Sequence, residues 1–149
     1  VRNLKWYCKK NLPDTISVVE IKWIKEPWCG NIFGYDASVF LNYMNPNIRT
    51  IGITYRNLSY HCTDEMLDGL TLGKNSVVTI YNVGTVKRLS KICMHELGHT
   101  YNLNHCESKH CFMEAGGFSF SQQMRMYDTE VYFCKKCKKL LNEKVLNNR

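Results

Sequence analysis

His95-Glu96-Leu97-Gly98-His99, followed by His105 and at once by Cys106, gathers nitrogen, carboxylate and sulfur donors within twelve residues. A helix advances about 100° per residue, so His95 and His99 project from one face about one turn apart and can grip a single metal ion. Glu96 is offset beside that face, where a carboxylate can reach a metal-bound water without being a ligand itself. His105 follows His99 by six residues, too far for the same helical face. The chain must leave the helix and turn back to deliver a third nitrogen. Three protein ligands with a fourth position left to water is the arrangement of a catalytic zinc, whereas a structural site is closed by four.

A second constellation overlaps the first. Cys106 and Cys111 are separated by four residues, Cys134 and Cys137 by two, and the pairs by 22. Two close pairs joined by such a loop offer four thiolates at structural-zinc spacing. Only Cys106 touches the histidine string, so a catalytic and a structural ion would lie close together, the second bracing the ligand loop of the first. Met113 stands two residues past Cys111.

The combination His95-Glu96-x-x-His99-x5-His105-Cys106-x4-Cys111-x-Met113, with Cys134-x-x-Cys137 downstream, resembles the archaemetzincins, a branch of the metzincin zinc peptidases. The motifs cover residues 95–137. Weaker likenesses lie upstream at Tyr35-Asp36-Ala37, Ile51-Gly52-Ile53-Thr54 and Val77-Val78-Thr79-Ile80-Tyr81. The resemblance implies a catalytic zinc on His95, His99 and His105, Glu96 as general base, a structural zinc on Cys106, Cys111, Cys134 and Cys137, and a Met-turn at Met113 beneath the catalytic metal. It also implies that Val77–Tyr81 is the sheet-edge strand that pairs with an extended peptide. Asn102 departs from the family pattern, which has Gly there, and the 20 residues between Met113 and Cys134 slightly exceed the usual gap. That Gly ends the helix in a left-handed conformation, which Asn tolerates best among the other residues.

Composition bounds the answer. The 149 residues are expected to form a single catalytic domain, with residues 1–102 as an N-terminal subdomain carrying the active-site helix and 103–149 as a C-terminal subdomain. Hydrophobic content of 44% and charged content of 22% are globular values. Eight cysteines admit disulfides in a secreted protein or metal in a cytosolic one, and the close pairs beside three motif histidines favour metal. Cys8, Cys29, Cys62 and Cys93 have no ligand spacing, and Cys93 reads as a small buried hydrophobe. No apolar run approaches the length of a membrane span, and no leader is visible, so a cytoplasmic location is expected. The chain begins at Val1, and residues 1–12 read better as the family's first helix than as the strand that usually precedes it. The net charge of +7 is concentrated at the end: residues 134–149 hold six Lys/Arg against Glu143. These lysines offset the surplus negative charge of a four-thiolate zinc site, and no nucleic-acid-reading motif accompanies them.

Helix is expected at Asn3–Lys10, strand at Thr15–Lys25 and loop at Glu26–Asn31. Asp36 caps a helix through Met44 that stops at Asn45-Pro46-Asn47. Thr50–Tyr55 is a strand, residues 56–73 are loop, and Val77–Val83 is a β-branched strand ending at Gly84. The active-site helix starts near Thr85 and runs to about Tyr101, with Val86, Leu89, Cys93, Leu97 and Tyr101 as one core stripe nearly opposite the metal face. The expected fold is α/β: a metzincin-like mixed twisted sheet with an active-site helix and a small, irregular C-terminal subdomain stabilised by zinc.

Zinc bound by three neutral imidazoles lowers the pKa of its water to about 7, and Glu96 can take that water's proton as a peptide carbonyl is attacked. The expected function is therefore zinc-dependent peptide-bond hydrolysis by a monomer, with two zinc ions per chain, peptide or protein substrates, and neither nucleic acid nor membrane as partner. His61 and His110 read as surface residues, although His110 could stand in as a ligand if the four-Cys site were incomplete. Tyr127 and Tyr132 are the available oxyanion helpers. Two other classes remain open: a zinc-stabilised peptide-binding module without turnover, motivated by Asn102 and by the small N-terminal half, and a basic zinc-ribbon binder, which leaves His95, Glu96 and His99 unexplained.

Overall fold

The computed structural model describes residues 34–63, 66–81, 83–114 and 131–146. The expected elements before Gly34 lie outside these residues. The described elements run β1 (Tyr35–Asp36), α1 (Ala37–Asn42), β2 (Thr50–Thr54), β3 (Leu58–Ser59), β4 (Met66–Leu67), β5 (Gly69–Leu72), β6 (Asn75–Thr79), α2 (Val86–Thr100) and α3 (Lys135–Leu146).

Two small mixed sheets form, ordered β1-β3-β4 and β2-β6-β5. β6 runs parallel to β2 and antiparallel to β5, with Val77 opposite both Gly52 and Leu70. All five residues of β6 are buried, as a strand covered on both faces must be. Val77 packs with Ala37, Phe40, Leu41 and Met44 around α1, whereas Val78 packs with Ile92 and Cys93 of α2. Alternation along the strand therefore places one helix on each face of the sheet. Beyond α2 lies a third apolar cluster. There Met94, Leu97 and Tyr101 meet Leu103, Phe112, Met113, Val131, Phe133, Leu141 and Val145.

α1 starts where Asp36 accepts a hydrogen bond from the Ser38 amide at 2.9 Å, and it ends at Asn42 with Tyr43 as its C-cap, two residues short of the expected Met44. α2 is capped by Thr85, whose side chain accepts from the Arg88 amide at 3.2 Å. Its burial corrects the expectation of one core face opposite the metal face. Cys93 faces the sheet while Leu97 and Tyr101 face the C-terminal cluster. α2 is sandwiched between two cores, so apolar residues occupy two sides and a single stripe does not describe it.

Four further expectations are corrected. Residues 56–73, expected as loop, contain β3, β4 and β5. These strands are two to four residues long, too short for alternation to register. Val77–Val83 shifts to Asn75–Thr79 because Asn75 and Ser76 are buried within the ladder. That strand is also not the edge: β6 lies between β2 and β5, and among the described residues the edges of this sheet are β2 and β5. In the C-terminal part, α3 presents Cys137, Leu141 and Val145 at intervals of four as a buried stripe. Lysines crowd the rest of that helix and hide the period.

Cys93 is fully buried, and Cys93, Cys106, Cys111, Cys134 and Cys137 are not in disulfides. Cys62 is disulfide-bonded.

Candidate metal centre

α2 carries His95 and His99 on adjacent turns, and the turn that follows brings back His105. The turn is a Schellman motif: the Leu103 amide donates to the Gly98 carbonyl at 3.1 Å and the Asn102 amide to the His99 carbonyl at 2.8 Å. Asn102 has φ +57°, the left-handed conformation such a cap requires. Arg49 closes the same end from β2's side. Its guanidinium donates to the Thr100 carbonyl at 3.3 Å and lies 3.7 Å from the centre of the Tyr101 ring.

The three imidazoles converge through one atom each. Nε2 of His99 is 3.0 Å from Nε2 of His95 and 3.2 Å from Nε2 of His105, and His105 and His95 are also 3.2 Å apart. Three nitrogens on a tetrahedral zinc at about 2.0–2.1 Å would be about 3.3–3.4 Å apart, so this triangle is close to the size the ion needs. The opposite ring nitrogens are fixed by carbonyls, which can only accept. His95 Nδ1–H donates to the Phe112 carbonyl at 2.6 Å and His99 Nδ1–H to the Leu103 carbonyl at 2.9 Å. Both rings therefore turn an Nε2 lone pair toward the common point. Burial pushes His95 down to about 4, against the raising effect of the Phe112 carbonyl and with help from repulsion by His99 and His105. Burial lowers His99 as well. Neutral imidazole is the form a metal takes.

Glu96 lies on the sheet side of α2 and is buried. Thr71 Oγ1 donates to its Oε2 at 2.6 Å. Burial raises the Glu96 carboxyl to about 7, the Thr71 bond pulls it back, and the nearby Asp68 charge raises it further. About two turns nearer the start of the helix, Arg88 forms an ion pair with Asp68 at 3.1 Å. α2 is thus fastened to the segment that leads into β5 at two points.

Cys106, Cys111, Cys134 and Cys137 form the second cluster, with their Sγ atoms within 4.8 Å of one another. The loop after α2 pairs with itself and with residues 131–134: the Cys106 amide donates to the Met113 carbonyl at 2.6 Å and the Phe112 amide to the Tyr132 carbonyl at 2.9 Å. The Cys111 sulfur accepts from the amides of Met113 at 3.4 Å and Cys134 at 3.3 Å. Burial pushes the Cys111 thiol up to about 11 and moves Cys137 in the same direction. Burial opposes ionisation of Cys134 too, but hydrogen bonds from the Cys137 amide, Ser108 and the neighbouring thiols outweigh it and bring Cys134 down to about 6. Four sulfurs gathered this closely are a set whose protons a soft cation would replace.

Met113 is fully buried beneath α2, its sulfur against Gly98. His61 and His110 belong to neither donor cluster. The His61 side chain is exposed and sits 3.8 Å from Asp36, and His110 is exposed with its amide on Glu114 at 3.0 Å. Tyr132 is half-exposed on the strand bridge to Cys111, and Tyr127 lies outside the described residues. Sequence reasoning missed Thr71, Gly69 and the Phe112 and Leu103 carbonyls. Backbone acceptors leave no trace in residue type, and Thr71 is 25 residues from its carboxylate.

The likeness to known proteins extends over this region. Over 110 residues the chain is 31% identical to an archaemetzincin of Haloquadratum walsbyi, covering 62% of this chain and 61% of that relative. It therefore spans about three-fifths of that relative's length. The fold is similar to the crystal structure of an archaemetzincin from Methanopyrus kandleri, with TM-score 0.62 and 24% identity over 76% of this chain and 67% of the other. It is also similar to a zinc-dependent peptidase from Methanocorpusculum labreanum, with TM-score 0.67 and 18% identity over 95% and 92% of the two chains. The model of peptidase family M54 matches residues 48–143, which include every residue of both donor clusters, and the chain belongs to that family.

Proposed function

We propose that this chain is a zinc-dependent peptidase in which His95, His99 and His105 hold the catalytic zinc and Glu96 is the general base. Cys106, Cys111, Cys134 and Cys137 hold a second, structural zinc in this reading, and Met113 packs as a Met-turn under the first. The observation that carries it is the convergence of three Nε2 atoms at 3.0–3.2 Å on the helix that also bears Glu96. Zinc held there would supply Lewis acidity toward a peptide carbonyl and toward water.

The chain's own residues do the rest. The Phe112 and Leu103 carbonyls hold the His95 and His99 rings in the ligating tautomer. Glu96 takes a proton from the attacking water and returns it to the departing amine. An extended peptide would add to the outer edge of β5, which replaces the Val77–Tyr81 segment in that role. Asn102 in the left-handed conformation supports the turn that returns His105, and with it the reading as an enzyme over a binding module without turnover. Among the described residues no helix is long and apolar enough to cross a membrane. A cytoplasmic location rests on the four gathered free thiols, a chemistry that reducing compartments protect, and stands against the disulfide at Cys62.

Metal analysis with a cleavage assay on a mixed peptide pool tests the reading. About two zinc per chain are expected, with cleavage products from the parent. Glu96→Gln should keep both ions and lose about 10²–10⁴ in rate. An equally active Glu96→Gln variant, or a zinc-loaded parent that cleaves nothing in the pool, would overturn it.

A further inference from the structure

We propose that Thr71, on the edge strand β5, is a positioning residue for Glu96, and that Gly69 on the same face of that strand leaves the space the Glu96 side chain occupies. The inference rests on Glu96 being the base. Thr71 Oγ1 lies 2.6 Å from Glu96 Oε2 and 3.1 Å from the Glu96 carbonyl. Its hydroxyl has one proton, and the short contact to a carboxylate oxygen takes it. Ser76, opposite Thr71 in the ladder, lies 2.7 Å from the Thr71 oxygen and 3.3 Å from the Glu96 carbonyl. Ser76 thus donates within the same group, and Thr71 can accept from it while donating to Glu96.

Gly69 supplies the independent observation. A Cβ at that position would lie 2.7 Å from Glu96 Cγ and 2.8 Å from Oε1, closer than real side chains approach. Residues 69 and 71 point to the same face of β5, so one removes bulk where the other adds a donor. Glu96 reaches back from its helix into that seat. The strand whose free edge would receive a substrate is therefore the strand that aims the base, and substrate docking and base placement share one rigid element.

The closing experiment uses the zinc-loaded protein with Thr71→Val, Thr71→Ser and Gly69→Ala, each also combined with Glu96→Gln. Valine keeps the shape of threonine, and Ser76 retains the Glu96 carbonyl as acceptor, so folding should survive. Two readouts are taken: kcat and KM on a fluorogenic peptide that the parent cleaves, and affinity for acetohydroxamate, whose remaining proton needs a carboxylate acceptor once its oxygens engage a metal. The hydroxamate readout works even if no peptide is turned over, so failure of the peptidase reading is distinguishable from failure of this one. Thr71→Val should lower kcat about tenfold, part of the general-base contribution, with KM and zinc content unchanged. Hydroxamate binding should weaken alongside. Thr71→Ser should restore both, Gly69→Ala should resemble Thr71→Val, and neither loss should recur in the Glu96→Gln background. Unchanged kcat and hydroxamate affinity in Thr71→Val, or an equal loss with and without Glu96, would overturn the proposal.

Discussion

The Met113 sulfur fills the space that a side chain at position 98 would require: a Cβ on Gly98 would overlap Met113 Sδ and crowd the Phe133 ring. Gly98 lies between Leu97 and His99, so the floor of the histidine site is a glycine closed over a methionine.

Gly98→Ala should therefore force α2 away from the Met113 loop. The expected cost is about 1–3 kcal/mol, as for overpacking of a filled core. Thermal unfolding of the metal-free protein reads this directly. Because His99 is the next residue, zinc affinity at the histidine site should fall as well. A variant with unchanged melting and zinc binding would show that Met113 yields at no cost.

Asn102 sits at the left-handed end of α2 with φ +57°. Asn102→Gly should be neutral or slightly stabilising, because glycine takes this conformation without a Cβ penalty. Asn102→Val should cost about 1–2 kcal/mol and pull His105 off the common point, weakening zinc binding. Paired zinc titrations of the two variants measure it, and equal affinities would place the turn's control elsewhere.

Removing metal from the four-cysteine cluster should loosen the C-terminal part without dissolving it. Cys111 and Cys137 belong to the same buried cluster as Leu141, Val145, Phe112 and Phe133. Cys137→Ser, or chelation, should lower the melting temperature and increase amide exchange in Lys135–Leu146, while Asn75–Thr79 stays protected. An unchanged melting curve after metal removal would contradict the structural role.

In the metal-free protein, His95 and Glu96 should oppose each other as pH changes. His95 is lowered from 6.5 to about 4, so the unfolded chain takes up its proton first and stability falls as pH drops through that window. Glu96 is raised from 4.5 to about 7, so its contribution is full below 4.5 and is lost as pH rises toward 7. The two slopes have opposite sign between pH 4.5 and 6.5. Metal-free Glu96→Gln should then lose stability on acidification more steeply than the parent. Parallel curves of melting temperature against pH would contradict this.

The two clusters were legible because side chains gathered to one point at metal-ligand distances are constrained in residue type and spacing together. A nitrogen at 95, 99 and 105 leaves a mark that no packing requirement imitates. α1 and α2 were legible through their caps, Asp36 and Thr85, and through long stretches free of breakers. What escaped was set by contacts distant in sequence. β5 carries glycine at 69 because Glu96 fills that space, and glycine reads as a break when the partner is unseen. β6 was displaced because Asn75 and Ser76 look like loop until Asn45 and Glu96 supply their hydrogen-bond partners. α3 was hidden because its apolar stripe is only Cys137, Leu141 and Val145 among five lysines.

The cysteines also set the order in which this protein can be handled. Thiol–disulfide exchange proceeds through a thiolate, and hydrogen bonds from its neighbours push Cys134 toward that form. Without metal Cys134 is the group that would attack a disulfide such as the Cys62 bond of another chain. A reductant that protects the four thiols opens Cys62, and an oxidant that spares Cys62 consumes the thiols. Zinc loaded first would, in the proposed reading, occupy Cys134 and separate the two chemistries. Protein stripped by a chelator at neutral pH should accumulate scrambled, cross-linked species on non-reducing gels, and protein kept zinc-loaded should run as a single band.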